Sequence, residues 1–185
     1  MIFSVWPKPA SSDYAVREGI MHIDGKEVRC ALGRGGVVAG ADKREGDGSS
    51  PAGLWPIRRV LYRPDRGPAP RTALPTAPIG PDDGWCDDPA DAHYNRPVSH
   101  PYPASAEHLW RQDSVYDIVL VLGHNDDPVV PGRGSAIFLH LAQPDYGPTE
   151  GCVALARDDL ERLLAVAKPG DAVEIQASPP APTRV

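Results

Sequence analysis

Between Pro64 and Pro103 the chain carries ten prolines, and this stretch excludes more architectures than any other part of the sequence. A proline ring has no N–H to donate and collides with the carbonyl one helical turn back, so no long helix passes through such a segment. The rest of the chain reads as β-rich, with one convincing helix. Met21–Ile23 and Lys26–Leu32 flank Asp24-Gly25, a strong hairpin signal. Leu54–Tyr62 reads as a strand entered through a turn at Ser50-Pro51-Ala52-Gly53. Val115–Leu122 is almost continuously apolar, as expected of a strand buried on both faces. Ala136–Leu141 and Ala172–Ile175 are two further strands.

One helix stands out. Leu160, Leu163, Leu164 and Ala167 recur at i, i+3, i+4 and i+7, which predicts an amphipathic helix over residues 156–168, ended by Pro169-Gly170. Residues 177–185 read as a frayed tail. The length of 185 residues suits a single domain. Residues 64–113 form a long insertion within it. For 64–82 an insertion without fixed structure remains open. GWCDDPADAHYNRPV, residues 84–98, mixes aromatic anchors with charges and reads as an ordered loop over a site, with Tyr94 and Arg96 as its candidate contacts.

Charge and apolar content narrow the function. The net charge of −6 supplies no basic field for nucleic acid, and pairs such as Lys43-Arg44 are flanked by acids. No apolar run approaches the roughly 20 residues that span a bilayer. The start, MIFSVWPKPASSD, lacks a charged region followed by a long apolar stretch, so no signal peptide is read there. Cytoplasmic residence and a mature chain without its leader both fit. Three cysteines, Cys30, Cys86 and Cys152, leave at least one thiol free and match no zinc spacing.

Cys152 stands apart from a packing cysteine. It follows Thr149, Glu150 and Gly151 in a polar turn just before the helix, a place suited to a nucleophile. A thiol with a pKa near 8.5 is mostly protonated at neutral pH and needs a base. His140 sits in the strand IFLHL, where alternation puts it with Phe138 on one face and Ile137, Leu139 and Leu141 on the other. A core histidine bonded to a carbonyl and a general base are both open readings of His140. GHNDDP, residues 123–128, follows the apolar strand and offers His124, Asn125 and Asp127. A loop with an Asx-type turn, a substrate contact and a metal site are its three readings, and no further metal ligands are identifiable. Tyr146, before Cys152, either contacts substrate or packs.

Taken together, His140, the following loop and Thr149-Glu150-Gly151-Cys152-Val153-Ala154-Leu155 resemble the catalytic signature of the YkuD-type L,D-transpeptidases. The upstream KREGDGSSPAGLWPI resembles that family's Lys-x-Glu-Gly-Asp-Gly-x-Thr-Pro-x-Gly segment. The likeness covers roughly residues 26–63 and 114–176. It departs from the family in three ways: Glu150 stands where the family has histidine, Ala154 where it has a basic residue, and the loop from His140 to Cys152 is shorter.

The resemblance implies a mainly β, sandwich- or barrel-like domain with one principal helix after the cysteine. It implies acyl transfer, with Cys152 as nucleophile, His140 as base and backbone N–H groups around Gly151 as oxyanion hole. The partners would be the donor and acceptor stem peptides of peptidoglycan, with no cofactor or metal, in the cell envelope and as a monomer. The crosslink would be 3-3, or a divergent 1-3 type using L-Ala as donor. Thr149, Glu150, His124, Asn125, Asp127, Tyr146, Tyr94 and Arg96 are the expected substrate contacts, with Glu150 attracting an ammonium and Arg96 or Arg133 replacing the missing charge. An L,D-carboxypeptidase, a cytoplasmic hydrolase of recycled muropeptides and an inactive peptidoglycan-binding module are the competing readings.

Overall fold

The computed structural model describes residues 1–8 and 18–180. Of the tail expected at 177–185, residues 181–185 lie outside the described residues. The strands are β1 (Ile2–Pro7), β2 (Glu18–Ile23), β3 (Lys26–Ala31), β4 (Val37–Ala39), β5 (Ser50–Tyr62), β6 (Thr76–Pro78), β7 (Asp83–Cys86), β8 (Pro97–Ser99), β9 (Ala106–His108), β10 (Ile118–Leu122), β11 (Phe138–Leu141), β12 (Val153–Leu155) and β13 (Ala172–Ile175). The helix α1 spans Arg157–Val166, inside the predicted 156–168.

The main sheet runs β10-β11-β12-β3-β2-β1-β13-β5-β4, and β10 also pairs with β5. That second pairing closes eight strands into a ring, so the fold is mainly β and barrel-like, as the resemblance implied. Its hairpins follow local chemistry. Asp24 and Gly25 both take positive φ, +48° and +76°, as a two-residue turn between right-twisted strands requires.

Elsewhere tertiary pairing moves the boundaries. The Ser50–Gly53 stretch, expected as a turn, is the start of β5, because Ser50–Ala52 pair in parallel with Val37–Ala39. β11 starts at Phe138 rather than Ala136, since Ala136 takes φ +52° and leaves the ladder. β10 starts at Ile118, after a turn in which Asp117 N–H donates to the Ser114 carbonyl.

The proline-rich insertion is built rather than plain loop. β6 adds in parallel to β5, and β7 lies between β8 and β9 in a separate three-stranded sheet. This small sheet covers one face of the main sheet and so splits the core in two. Ile118, Leu120 and Leu122 join Phe3, Met21 and the α1 residues Leu160, Leu163 and Leu164 in the larger apolar cluster. Val119 and Val121 point the other way, to a smaller cluster with Trp85, Leu109, Tyr116, Phe138 and Cys152. β10 is thus buried on both faces, which explains its unbroken apolar run.

Candidate active site

β12 pairs in parallel with β11, with Leu139 opposite Val153 and His140 opposite Ala154. That register places Phe138, His140, Cys152 and Ala154 on the outward face. Cys152 is 7% exposed and opens on a cavity of about 490 Å³ that His140 also lines. The thiol donates to the Ala136 carbonyl at 3.1 Å, and its sulfur accepts the Phe138 N–H at 3.3 Å. Burial pushes its pKa up to about 12, against the Phe138 N–H, which favours the thiolate. At rest Cys152 is therefore a protonated thiol.

The turn before it is fixed by its own atoms. The Thr149 hydroxyl donates to the Cys152 carbonyl at 2.6 Å and accepts the Gly151 N–H at 3.2 Å. Gly151 takes φ +133°, and a Cβ there would lie 2.8 Å from the Ser49 carbonyl oxygen. Only glycine meets both conditions without moving the KREGDGSSPAG segment. That segment and the cysteine turn, about a hundred residues apart in sequence, are here in contact.

His140 is 7% exposed. Its Nδ1 lies 3.0 Å from the Leu141 carbonyl, which can only accept, so Nδ1 carries the proton and Nε2 keeps its lone pair. Burial depresses its pKa to about 4, so the ring is neutral at physiological pH. His140 thus holds a backbone carbonyl, as a core histidine does, and also lines the cavity on which Cys152 opens. No hydrogen bond joins it to Cys152, whose proton faces Ala136.

Residues beside the thiol and along its cavity wall escaped sequence reasoning. Lys43 is 2% exposed, its ammonium bonded to Asp47 and 3.5 Å from where a Cβ on Gly151 would lie. Its charge favours the Cys152 thiolate and Glu107 opposes it, both after the larger effect of burial. Glu45, Asp87, Glu107 and Glu150 line the cavity against a single guanidinium, Arg111. Glu107, whose carboxyl burial raises, accepts the Tyr116 hydroxyl at 2.7 Å. Asp87, Glu107 and Arg111 come from the insertion, which therefore walls the cavity.

Asn95 stitches the insertion to the barrel. It is 3% exposed and uses its whole amide. Its Oδ1 accepts Trp85 Nε1–H at 2.9 Å and Ala136 N–H at 3.0 Å, and its Nδ2 donates to the carbonyls of His124 at 3.1 Å and Asn125 at 2.7 Å. Ala136 is the residue with positive φ whose carbonyl faces the thiol. Asn95 thus holds the acceptor of the thiol proton in a conformation that alanine alone disfavours.

The expected substrate contacts scatter. Thr149 and Glu150 line the cavity. Glu150 is not free, however: Arg34 Nε meets its two carboxylate oxygens at 2.9 and 2.7 Å. Tyr94 lends its hydroxyl to Glu45 and sits behind the cavity wall. Arg96 donates to the Asp126 carbonyl, and Arg133 to that of Ala41. Both are engaged with backbone carbonyls in this structure, and the cations beside Cys152 are Lys43 and Arg111. His124 is buried, with Nε2 on the Arg133 carbonyl at 3.0 Å and its ring against Trp55. Asn125 organises its own loop through Val130 and Gly134, close to the Asx-type reading of GHNDDP. Asp127 is exposed and lines none of these walls, and Tyr146 lies beneath the Arg29 guanidinium at 4.1 Å.

A protonated thiol and a neutral histidine on one barrel face, beside a buried cation and under an acidic wall, suit acyl transfer by a cysteine. The family comparison agrees with the geometry: the model of the YkuD L,D-transpeptidase catalytic domain matches residues 14–175. No curated protein and no solved structure matches the chain. Proteins of that family are usually cysteine-dependent L,D-transpeptidases, act on peptidoglycan stem peptides and typically belong to the cell envelope. No helix among the described residues is long and apolar enough to cross a membrane. With the match covering both the signature around Cys152 and the upstream glycine-rich segment, the chain belongs to the YkuD family of L,D-transpeptidase catalytic domains.

Proposed function

We propose that this chain is a peptidoglycan L,D-transpeptidase that works through a thioester on Cys152. The observation that carries the reading is the shared cavity: Cys152 and His140 line the same space, and the Nδ1 contact with Leu141 leaves Nε2 as the unprotonated nitrogen. Cys152 leaves its hydrogen bond to Ala136 and gives its proton to Nε2. The sulfur attacks the carbonyl carbon of the L-to-D peptide bond in the donor stem. The Cys152 backbone N–H receives the developing oxyanion, joined by the Gly151 N–H as it leaves the Thr149 hydroxyl, and such contacts are worth several kcal/mol. The tetrahedral adduct collapses, the C–N bond breaks, and the proton on His140 passes to the departing amine. The acceptor amine then attacks the thioester, gives its proton to His140, and the thiolate leaves and is reprotonated.

Lys43 supports the thiolate and oxyanion stages, where negative charge appears in a low-dielectric site. The Glu45, Asp87 and Glu107 wall favours stems carrying a free ammonium, the role expected of Glu150 from sequence. The donor stem and the 3-3 or 1-3 linkage follow from muropeptide analysis of sacculi incubated with the protein. New crosslinked dimers, absent with Cys152→Ala, support the transpeptidase. Shortened stems without dimers point to water as acceptor, an L,D-carboxypeptidase. Unchanged muropeptides with every stem offered would leave only a binding module.

A further inference from the structure

Behind the nucleophile lies a second cavity of about 370 Å³, set between the main sheet and the small sheet of the insertion. Three neighbouring strands build its floor. Arg59 of β5 is opposite Val121 of β10, and Val121 is opposite Phe138 of β11, so the three side chains stand abreast on one face. Trp85 closes over them, edge-on to Phe138 at 5.1 Å, and Pro75 and Pro97 form apolar rims. The size falls within the range of roughly 300–1,000 Å³ usual for small-molecule sites.

The charge in this cavity is unbalanced. Arg58 is held by both carboxylate oxygens of Asp126 at 2.7 and 3.0 Å, and Arg96 by the Asp126 carbonyl. Arg59 makes no hydrogen bond or ion pair among the described residues, and its Nε is sealed from solvent without a partner. Its guanidinium has only the Trp85 ring, 5.9 Å away. A half-buried guanidinium on apolar walls favours an anion with a matching fork, and a carboxylate supplies it. The apolar walls favour a body that is aromatic or aliphatic.

We propose that this cavity binds a monoanionic carboxylate on an apolar body, its carboxylate on Arg59 and its body between Trp85 and Phe138. A free aryl or alkyl acid and the C-terminal apolar residue of a peptide share this chemistry. The site is separate from the thiol's cavity, and its test does not depend on acyl transfer. Calorimetric titration of the intact protein compares 3-phenylpropionate, its neutral amide and N-acetyl-Ala-Phe. Saturable binding of an acid at least tenfold tighter than the amide is expected. Phenylpropionate as the tighter acid assigns the site to small acids, and the dipeptide as the tighter assigns it to peptide termini. Arg59→Met should remove the preference for the acid, and Arg59→Lys should keep part of it, at unchanged Tm. Equal affinity for acid and amide in the wild type, absence of saturable binding, or a preference untouched by Arg59→Met would each overturn the proposal.

Discussion

β10 faces two different interiors. Inward, Ile118, Leu120 and Leu122 join the large apolar cluster within the ring and from α1. Outward, Val119 and Val121 meet a layer that mixes Trp85 and Phe138 with Cys152 and borders the buried polar groups of His140, Asn95 and Lys43. The inner face packs into a cluster of aliphatic and aromatic side chains, where shape dominates. The outer face keeps its polar groups in place through named hydrogen bonds, and the insertion is what shields them from water. One strand thus separates the large apolar core from the layer beside the candidate site, with the division running through alternate residues.

Asn95 is where that division should fail. Asn95→Ala leaves the Trp85 and Ala136 N–H groups and two loop carbonyls without their partner, at about 1–3 kcal/mol for each group that stays buried and unpaired. A loss of about 3–5 kcal/mol in urea unfolding, together with slower Cys152 acylation, is expected. A variant that loses activity at wild-type stability, or the reverse, would show that the two faces are not joined here. Leu120→Ala acts on the inner face alone. It should cost about 2–5 kcal/mol through the cavity it creates, while the folded fraction acylates at the wild-type rate. Slowed acylation in that fraction would break the separation.

His140→Ala sharpens the comparison from the other side. Acylation should fall by a factor on the order of 10², the usual effect of a lost general base, and stability at pH 8 by about 1–3 kcal/mol, because the Leu141 carbonyl loses its partner. The pH dependence has a definite sign. Folded His140 titrates near 4, against 6.5 for the free group, so its stabilising contribution is full above pH 6.5 and is lost as pH falls towards 4. The difference amounts to roughly 3 kcal/mol. The wild type should thus lose stability over that window more steeply than His140→Ala, and parallel curves from pH 8 to 4 would contradict the burial of a neutral ring.

The smallest effect is expected at Glu150. Its ion pair with Arg34 is exposed, and such pairs are worth at most about 1 kcal/mol. Glu150→Gln should leave acylation by a β-lactam of the carbapenem type unchanged and alter crosslinking of natural stems less than twofold. A large and equal loss in both assays would place Glu150 in the catalytic machinery.

What the sequence revealed follows from the range of the interactions involved. The Asp24-Gly25 hairpin, the strand at Ala172–Ile175, the helix and its stop depend on neighbours a few residues away, and all are legible. So is the placement of Cys152 and His140 on one cavity, because the family signature is local and the face of His140 follows from alternation. Lys43 was not, since a Lys-Arg pair among acids reads as solvated surface. Its burial arises only when the Ser49 region meets Gly151. Asn95 lay between two more conspicuous residues, Tyr94 and Arg96, and its partners come from three separate segments. The strands of the insertion escaped because they are three or four residues long, contain Pro97 and Gly84, and gain their order from pairing across loops.

The central claim, that Cys152 takes the acyl group, is tested most directly by intact-protein and peptide mass spectrometry after incubation with a donor stem peptide or a carbapenem. The account predicts one added acyl group per chain, on the peptide containing Cys152, and none in Cys152→Ala, with Cys30 and Cys86 unmodified. An adduct on Cys30 or Cys86, or an adduct that persists in Cys152→Ala, would contradict it.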